Sequence, residues 1–120
     1  MHLRKQLKSK WLEVSGTIGK DPKQIWLPVG SGTLVKTFDQ ILNSKITIQA
    51  VNVHVLPADD KRITELVYKP RVKMISAPMP FHEMAKNLPG VPSNIFYDAK
   101  LWEFIEKFSE DGDVWWNVAR

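Results

Sequence analysis

Basic side chains in residues 61–73 are the residues whose types and spacing most suggest a binding function. This segment holds five cations against one acid, Glu65. Like charges gathered on one face of a sheet repel each other, so stability alone gives no reason to cluster them. We therefore expect a recognition surface for an acidic protein or a small acidic ligand, although lysines that protect an edge strand are the alternative. The predicted surface consists of Arg62, Lys69, Arg71 and Lys73, with His54 and Trp116 beside them.

A second basic segment, residues 1–23, carries six basic groups against two acids. Cations interleaved with aromatic side chains can hold a nucleic-acid backbone and stack its bases. The alternative function is therefore a nucleic-acid-associated protein, which would use this segment together with residues 61–73. Another explanation is that the basic segments face the acidic residues 98–113. The predicted nucleic-acid contacts are Arg4, Lys5, Lys8 and Lys10.

Gly30-Ser31-Gly32-Thr33 precedes the apolar pattern of a helix. The hydroxyl of Ser31 or Thr33 can accept a hydrogen bond from a free amide of the first turn. The same amides can hold a phosphate or a carboxylate. The Gly-Lys-Ser/Thr spacing of a P-loop is absent, so capping is the favoured interpretation.

Catalytic and metal-binding motifs are not apparent. The chain has no cysteine, which excludes thiolate ligands and cysteine nucleophiles. His82 and Glu83 begin like a zinc-protease helix, but Lys86 stands where the second histidine is required. We predict no metal, no cofactor and no catalytic residue, and favour a non-enzymatic binding module over a small lyase-like enzyme.

The apolar periodicity predicts an α+β fold in which helices cover mainly one face of an antiparallel sheet of four to five strands. Ile46, Ile48 and Ala50 alternate in one phase and Val51 and Val53 in the other, which predicts a β-bulge. Pro28 places its strand at an edge of the sheet or ends it. The predicted strands are 24–29, 44–56, 62–69, 71–77 and 114–119, and the predicted helices are 2–11, 33–43, 81–88 and 98–108.

Length and composition predict a single domain over residues 1–120. Its hydrophobic content of 43% and charged content of 25% are typical of globular proteins. No apolar run approaches the ~20 residues that a membrane span needs, and no secretion signal is evident. We expect a cytoplasmic protein that makes no membrane contact; the oligomeric state stays open.

The order of the segments over residues 31–119 resembles the chorismate lyase and UTRA ligand-binding superfamily. Gly32–Phe38 looks like the family's Ser/Thr-bearing helix start, and residues 62–68 look like a later strand. Phe81–Met84 and Leu88–Val91 are similar to the helix and loop that follow in UTRA domains. The resemblance implies a sheet with a pocket. It argues against lyase chemistry, because Thr64 stands where the lyases carry an arginine.

Overall fold

The computed structural model describes residues 2–19, 21–86, 88–90 and 93–116. Helices and strands alternate along most of the chain. The elements in chain order are α1 (His2–Ile18), β1 (Gln24–Val29), α2 (Thr33–Ile41), β2 (Thr47–Asn52), α3 (Lys61–Val67), β3 (Val72–Ser76), a 3₁₀ turn (Asp98–Leu101) that continues into α4 (Trp102–Phe108), and β4 (Val114–Trp115).

The described strands form one sheet in the order β3-β2-β1-β4, and every pair is parallel. The prediction of an antiparallel sheet is therefore wrong. Parallel neighbours require a crossover connection of a dozen residues or more, usually a helix. Both α2 and α3 are such crossovers, and α3 occupies the segment that was predicted to be the strand 62–69.

Helix α3 forms because its first turn is capped and its apolar residues have helical spacing. The Asp60 side chain accepts a hydrogen bond from the Arg62 amide at 2.9 Å. Ile63 and Leu66 stand three residues apart and are both buried, while Val67 is exposed. The spacing of the two buried residues, not the β-branched composition, decides the structure of this segment.

Pro28 lies in the central strand β1, so the predicted edge position is wrong. The Trp26 carbonyl accepts a hydrogen bond from Trp116, whereas the Val29 carbonyl accepts one from Val53 on the β2 side. Pro28 has the same strand parity as Trp26, so its missing N–H falls on the β4 side. Among the described residues, β4 pairs with Ile25 and Trp26, so the missing N–H of Pro28 falls where this pairing ends.

Strand β2 has an unbroken register with β1 over residues 47–52, so it contains no bulge. Ile48 and Ala50 pack into the core beneath α1, α2 and α3, and Val51 and Val53 pack into the core beneath α4. The apparent change of phase thus reflects burial on both faces, which is usual for an inner strand of a parallel sheet.

Other boundaries also differ from the prediction. Helix α1 continues past Trp11 to Ile18, and residues 81–86 form turns, not a helix. The predicted last strand is present at Val114–Trp115, and residues 117–119 of that prediction lie outside the described residues. None of the described helices is long and apolar enough to cross a membrane.

Candidate functional site at the carboxyl end of strand β1

Strand β1 has β2 and β3 on one side and β4 on the other, so the strand order reverses at β1. The connections also change face there, because α2 packs into one core and α4 into the other. In open parallel sheets, ligands bind in the crevice beyond the carboxyl ends of the strands where this reversal occurs. The segment at that position is the β1–α2 loop, residues 30–33.

In the β1–α2 loop, the N-cap residue of helix α2 has no side chain to cap it. Gly32 is the N-cap residue at φ 87°, a left-handed conformation that favours glycine, and no side chain hydrogen-bonds as its cap. Ser31 Oγ lies 3.5 Å from the Thr33 amide and 3.0 Å from Thr33 Oγ1. Ser31 thus accepts a long hydrogen bond from the first amide of α2, which agrees with the capping interpretation, although the N-cap residue Gly32 contributes no side chain.

A pocket of about 320 Å³ opens beside this loop. Tyr97, from the segment before the 3₁₀ turn, forms its far wall. The Tyr97 hydroxyl accepts a hydrogen bond from the Gly30 backbone. A Cβ at Gly30 would lie 2.9 Å from this hydroxyl, so a side chain there would require Tyr97 to move. The lining residues are Leu7, Pro28, Gly30, Ser31, Gly32, Thr33, Leu34 and Tyr97.

Burial raises the pKa of Tyr97, and the negative charge of Asp98 raises it further. The phenol is therefore neutral at physiological pH and can donate its proton to an acceptor while it accepts from Gly30. Together with the hydroxyls of Ser31 and Thr33 and the amides of the first turn of α2, it makes a wall of hydrogen-bond donors. No acidic side chain lines this pocket. Such a wall suits an anion.

Arg71, the centre of the predicted basic surface, uses its hydrogen-bond donors on the C-terminal end of α2. Its Nε donates to Asp39 Oδ1 at 2.8 Å, and its terminal nitrogens donate to the carbonyls of Asp39, Leu42 and Asn43 at 2.7, 3.1 and 2.6 Å. The last carbonyls of a helix lack intrahelical partners, and a cation there is favourable. Arg71 thus caps α2, and its side chain is only 16% exposed.

Of the other cations of the predicted surface, Lys69 lies beside Arg71 and shares its partner Asp39, whereas Arg62 and Lys73 lie elsewhere. Lys69 donates to Asp39 Oδ2 at 3.2 Å. Arg62 lies on α3 and forms a bidentate pair with Asp60 at 3.0 and 2.9 Å. Lys73 is exposed on β3. A recognition surface for an acidic partner at these residues stays a prediction, but most of their charge is already paired within the chain.

The described contacts of His54 and Trp116 are with other parts of the chain, not with these cations. His54 follows β2 at φ 67°, and its Nε2 lies 2.8 Å from the Ala77 carbonyl. Trp116 packs edge-on against Phe38 and also contacts Trp11, with ring centroids 5.0 and 6.3 Å apart. Trp116 is thus partly buried against the core, and its predicted role in the binding surface stays a prediction.

The predicted nucleic-acid contacts lie on α1, where Lys5, Lys8 and Lys10 are exposed. Lys10 pairs with Glu13 at 3.3 Å, an exposed ion pair of little energetic weight. The side chain of Arg4 lies outside the described residues. The nucleic-acid function stays a prediction.

Comparison with known proteins adds no assignment: no protein-family model, curated protein or solved structure matches the chain. The resemblance to the chorismate lyase and UTRA superfamily therefore stays a prediction. Among the described residues, no group of three or more His, Cys, Asp or Glu side chains is arranged to hold a metal ion.

Sequence reasoning missed Tyr97 and Lys100, which lie in one short segment of the chain. Tyr97 walls the β1–α2 pocket, and Lys100 is buried at a second cavity. Neither has a motif around it, because each is placed by contacts outside its own turn: Tyr97 lies beside Gly30, and Lys100 donates to the carbonyls of Pro80 and Phe81. The loop Gly30–Thr33 did carry a signal, because two glycines around a serine after a strand leave backbone amides accessible.

Proposed function

We propose that this protein is a non-enzymatic binding module that holds a small anionic ligand, through a phosphate or carboxylate group, at the carboxyl end of β1. The observation that carries the proposal is the pocket of about 320 Å³ at the point where the strand order reverses. Its position is the one that parallel sheets use for ligands. Its polar lining groups supply hydrogen-bond donors, with no acid among them.

The ligand's anionic group would lie against the first turn of α2. The N-terminal amides of a helix have no intrahelical partners, and the helix dipole favours negative charge there. Gly32 lacks a side chain that would cover these amides, and the exposed hydroxyls of Ser31 and Thr33 flank them. Leu7, Pro28 and Leu34 supply apolar surface for the rest of a small molecule. This keeps the small acidic ligand expected from the sequence and moves its site from residues 61–73 to the β1–α2 loop.

The test is isothermal titration calorimetry with inorganic phosphate, pyrophosphate and citrate on the wild type and on Ser31→Asp. An aspartate at the exposed position 31 repels an anion about 5 Å away by roughly 3 kcal/mol at an effective dielectric constant of about 20. The same charge near the start of α2 stabilises the helix by about 0.3–1 kcal/mol. We therefore expect Ser31→Asp to lose anion binding while its melting temperature stays the same or rises.

Ser44→Asp is the matched control, because Ser44 is exposed and lies beyond the other end of α2. It adds the same charge to the protein and should keep wild-type affinity. The proposal fails if none of the three anions binds the wild type. It also fails if the two variants bind equally well.

A further inference from the structure

Lys100 is a buried lysine that belongs to no part of the β1–α2 pocket. It lies in the 3₁₀ turn Asp98–Leu101 and is 2% exposed. It lines a cavity of about 120 Å³ beyond the end of β3, where Pro78 and Met79 form part of the wall. Lysine is almost never this deeply buried unless its charge is paired.

The ammonium group of Lys100 has neutral partners only. Its Nζ donates to the carbonyls of Pro80 and Phe81 at 3.1 and 3.0 Å and lies 5.3 Å from the centroid of the Phe81 ring. No carboxylate in the described part of the chain lies within ion-pair distance of it. Burial lowers the pKa of Lys100, and the negative charge of Glu83 opposes that shift from longer range. An ammonium has three N–H donors, so one N–H remains after two have donated to the carbonyls.

The cavity carries charges of both signs. Glu83 and Glu103 line it together with Lys86 and Lys100. A simple anion would pair with Lys100 but would be repelled by the two carboxylates. A simple cation would pair with the carboxylates but would be repelled by the two lysines. A molecule with a carboxylate at one end and an ammonium at the other suits both kinds of group.

We propose that this cavity binds a small zwitterion of the α-amino acid class. The remaining N–H of Lys100 donates to the ligand's carboxylate, and Glu103 accepts from the ligand's ammonium. The cavity volume limits the ligand to amino acids with short side chains. This site is separate from the anion site of the β1–α2 loop.

The experiment measures binding of glycine, L-alanine, L-serine and L-aspartate to the full chain by calorimetry, with acetate and methylamine as probes of each charge alone. We expect one or more of the amino acids to bind and the two single-charge probes to bind more weakly. Lys100→Met keeps the length of the side chain and removes the charge. It should weaken amino-acid binding roughly 30-fold or more, as expected when a buried charged partner is removed.

Lys100→Met also loses the hydrogen bonds to the carbonyls of Pro80 and Phe81, so we expect it to melt lower than the wild type. Binding is therefore compared at a temperature at which both proteins are folded, and the single-charge probes separate ligand recognition from a purely structural role. Lys107→Met, at an exposed lysine of α4, is the control and should bind like the wild type. The proposal is overturned if no amino acid binds the wild type, or if folded Lys100→Met binds normally. It is also overturned if acetate binds the wild type as tightly as the amino acids do, since the ligand's ammonium would then contribute nothing.

Discussion

The two ends of helix α2 face opposite chemical situations. At its C-terminus, the guanidinium of Arg71 bonds the carbonyls of Asp39, Leu42 and Asn43 and the Asp39 carboxylate, so donors and acceptors are matched within the chain. At its N-terminus, Gly32 supplies no side-chain cap, the Thr33 amide donates only a 3.5 Å hydrogen bond to Ser31 Oγ, and residues 30–34 line a pocket. The C-terminal carbonyls therefore have a strong partner within the chain, whereas the N-terminal amides have a weak one.

This difference teaches that the number of charges is a poor guide to a ligand site. Residues 61–73 attract attention in the sequence because they hold five cations, yet Asp39 and Asp60 pair with three of them. The β1–α2 loop has no charged residue, and a long hydrogen bond from the Thr33 amide to Ser31 Oγ is the side-chain contact described for its backbone donors. Unsatisfied groups at a concave surface are the better signal, because buried or enclosed polar groups require partners.

The largest effect that this comparison predicts is on stability at the C-terminal end of α2. Arg71→Met should lower the free energy of unfolding by about 2–4 kcal/mol, because it removes charge-assisted hydrogen bonds and leaves Asp39 and several carbonyls without them. Urea unfolding monitored by tryptophan fluorescence measures this loss.

Lys73→Met is the control for that measurement, since Lys73 is exposed on the neighbouring strand. Its effect should stay within about 0.5 kcal/mol. If both variants unfold at the same urea concentration, Arg71 is a surface cation, and the proposed difference between the ends of α2 disappears.

A smaller effect is expected at the N-terminal end, from Gly32→Ala. The left-handed conformation at φ 87° disfavours a side chain, and a Cβ there would lie 3.2 Å from the Arg62 carbonyl and from Leu66 Cδ1. We expect a loss of about 1–3 kcal/mol in unfolding free energy, together with weaker anion binding.

Gly16→Ala tests whether this loss is specific to the loop. Gly16 lies inside α1, and a Cβ there would meet nothing within 4 Å. Alanine should therefore stabilise the helix by about 0.5–1 kcal/mol. A loss of stability in Gly16→Ala, or none in Gly32→Ala, would show that the loop does not have the described backbone.

The smallest effect concerns the internal pairing of Arg62. Hydrogen bonds from the Arg62 side chain and backbone lower the pKa of Asp60 from 3.8 to about 2. The stability that this pairing contributes is fully present above pH 3.8 and is lost as the pH falls through about 2.

Asp60→Asn keeps a capping oxygen and removes the charge. The difference in urea midpoint between the wild type and this variant should therefore shrink as the pH is lowered from neutrality to about 2. A difference that does not change with pH would mean that the Asp60 charge contributes nothing and that Arg62 is available to a partner.

Several helices and connections of this fold can be predicted from the sequence. The spacing of Leu34 and Phe38 correctly predicts α2, and the apolar stripe at Leu101 and Ile105 correctly predicts the last helix. The long helical connection from β1 to β2 is itself a sign of a parallel crossover. Asp60 before Ile63 and Leu66 is likewise a readable helix start.

Other features depend on contacts between distant parts of the chain. Pro28 is tolerated in the central strand because, among the described residues, the pairing with β4 ends at Trp26, and no local pattern reports the length of a neighbouring strand. Tyr97 and Lys100 become buried because their segment crosses the far face of the sheet. The pocket wall and the second cavity therefore arise from tertiary packing, which single-residue patterns do not encode.

The most direct test of the central claim is a titration of the ¹⁵N-labelled protein with whichever of phosphate, pyrophosphate or citrate binds tightest, followed by amide correlation spectra. The account predicts saturable shifts of the amides of residues 31–35, at the start of α2, while the amides of residues 69–73 stay in place. Saturable shifts at residues 69–73 with residues 31–35 unmoved would contradict it, and would return the ligand site to the basic segment.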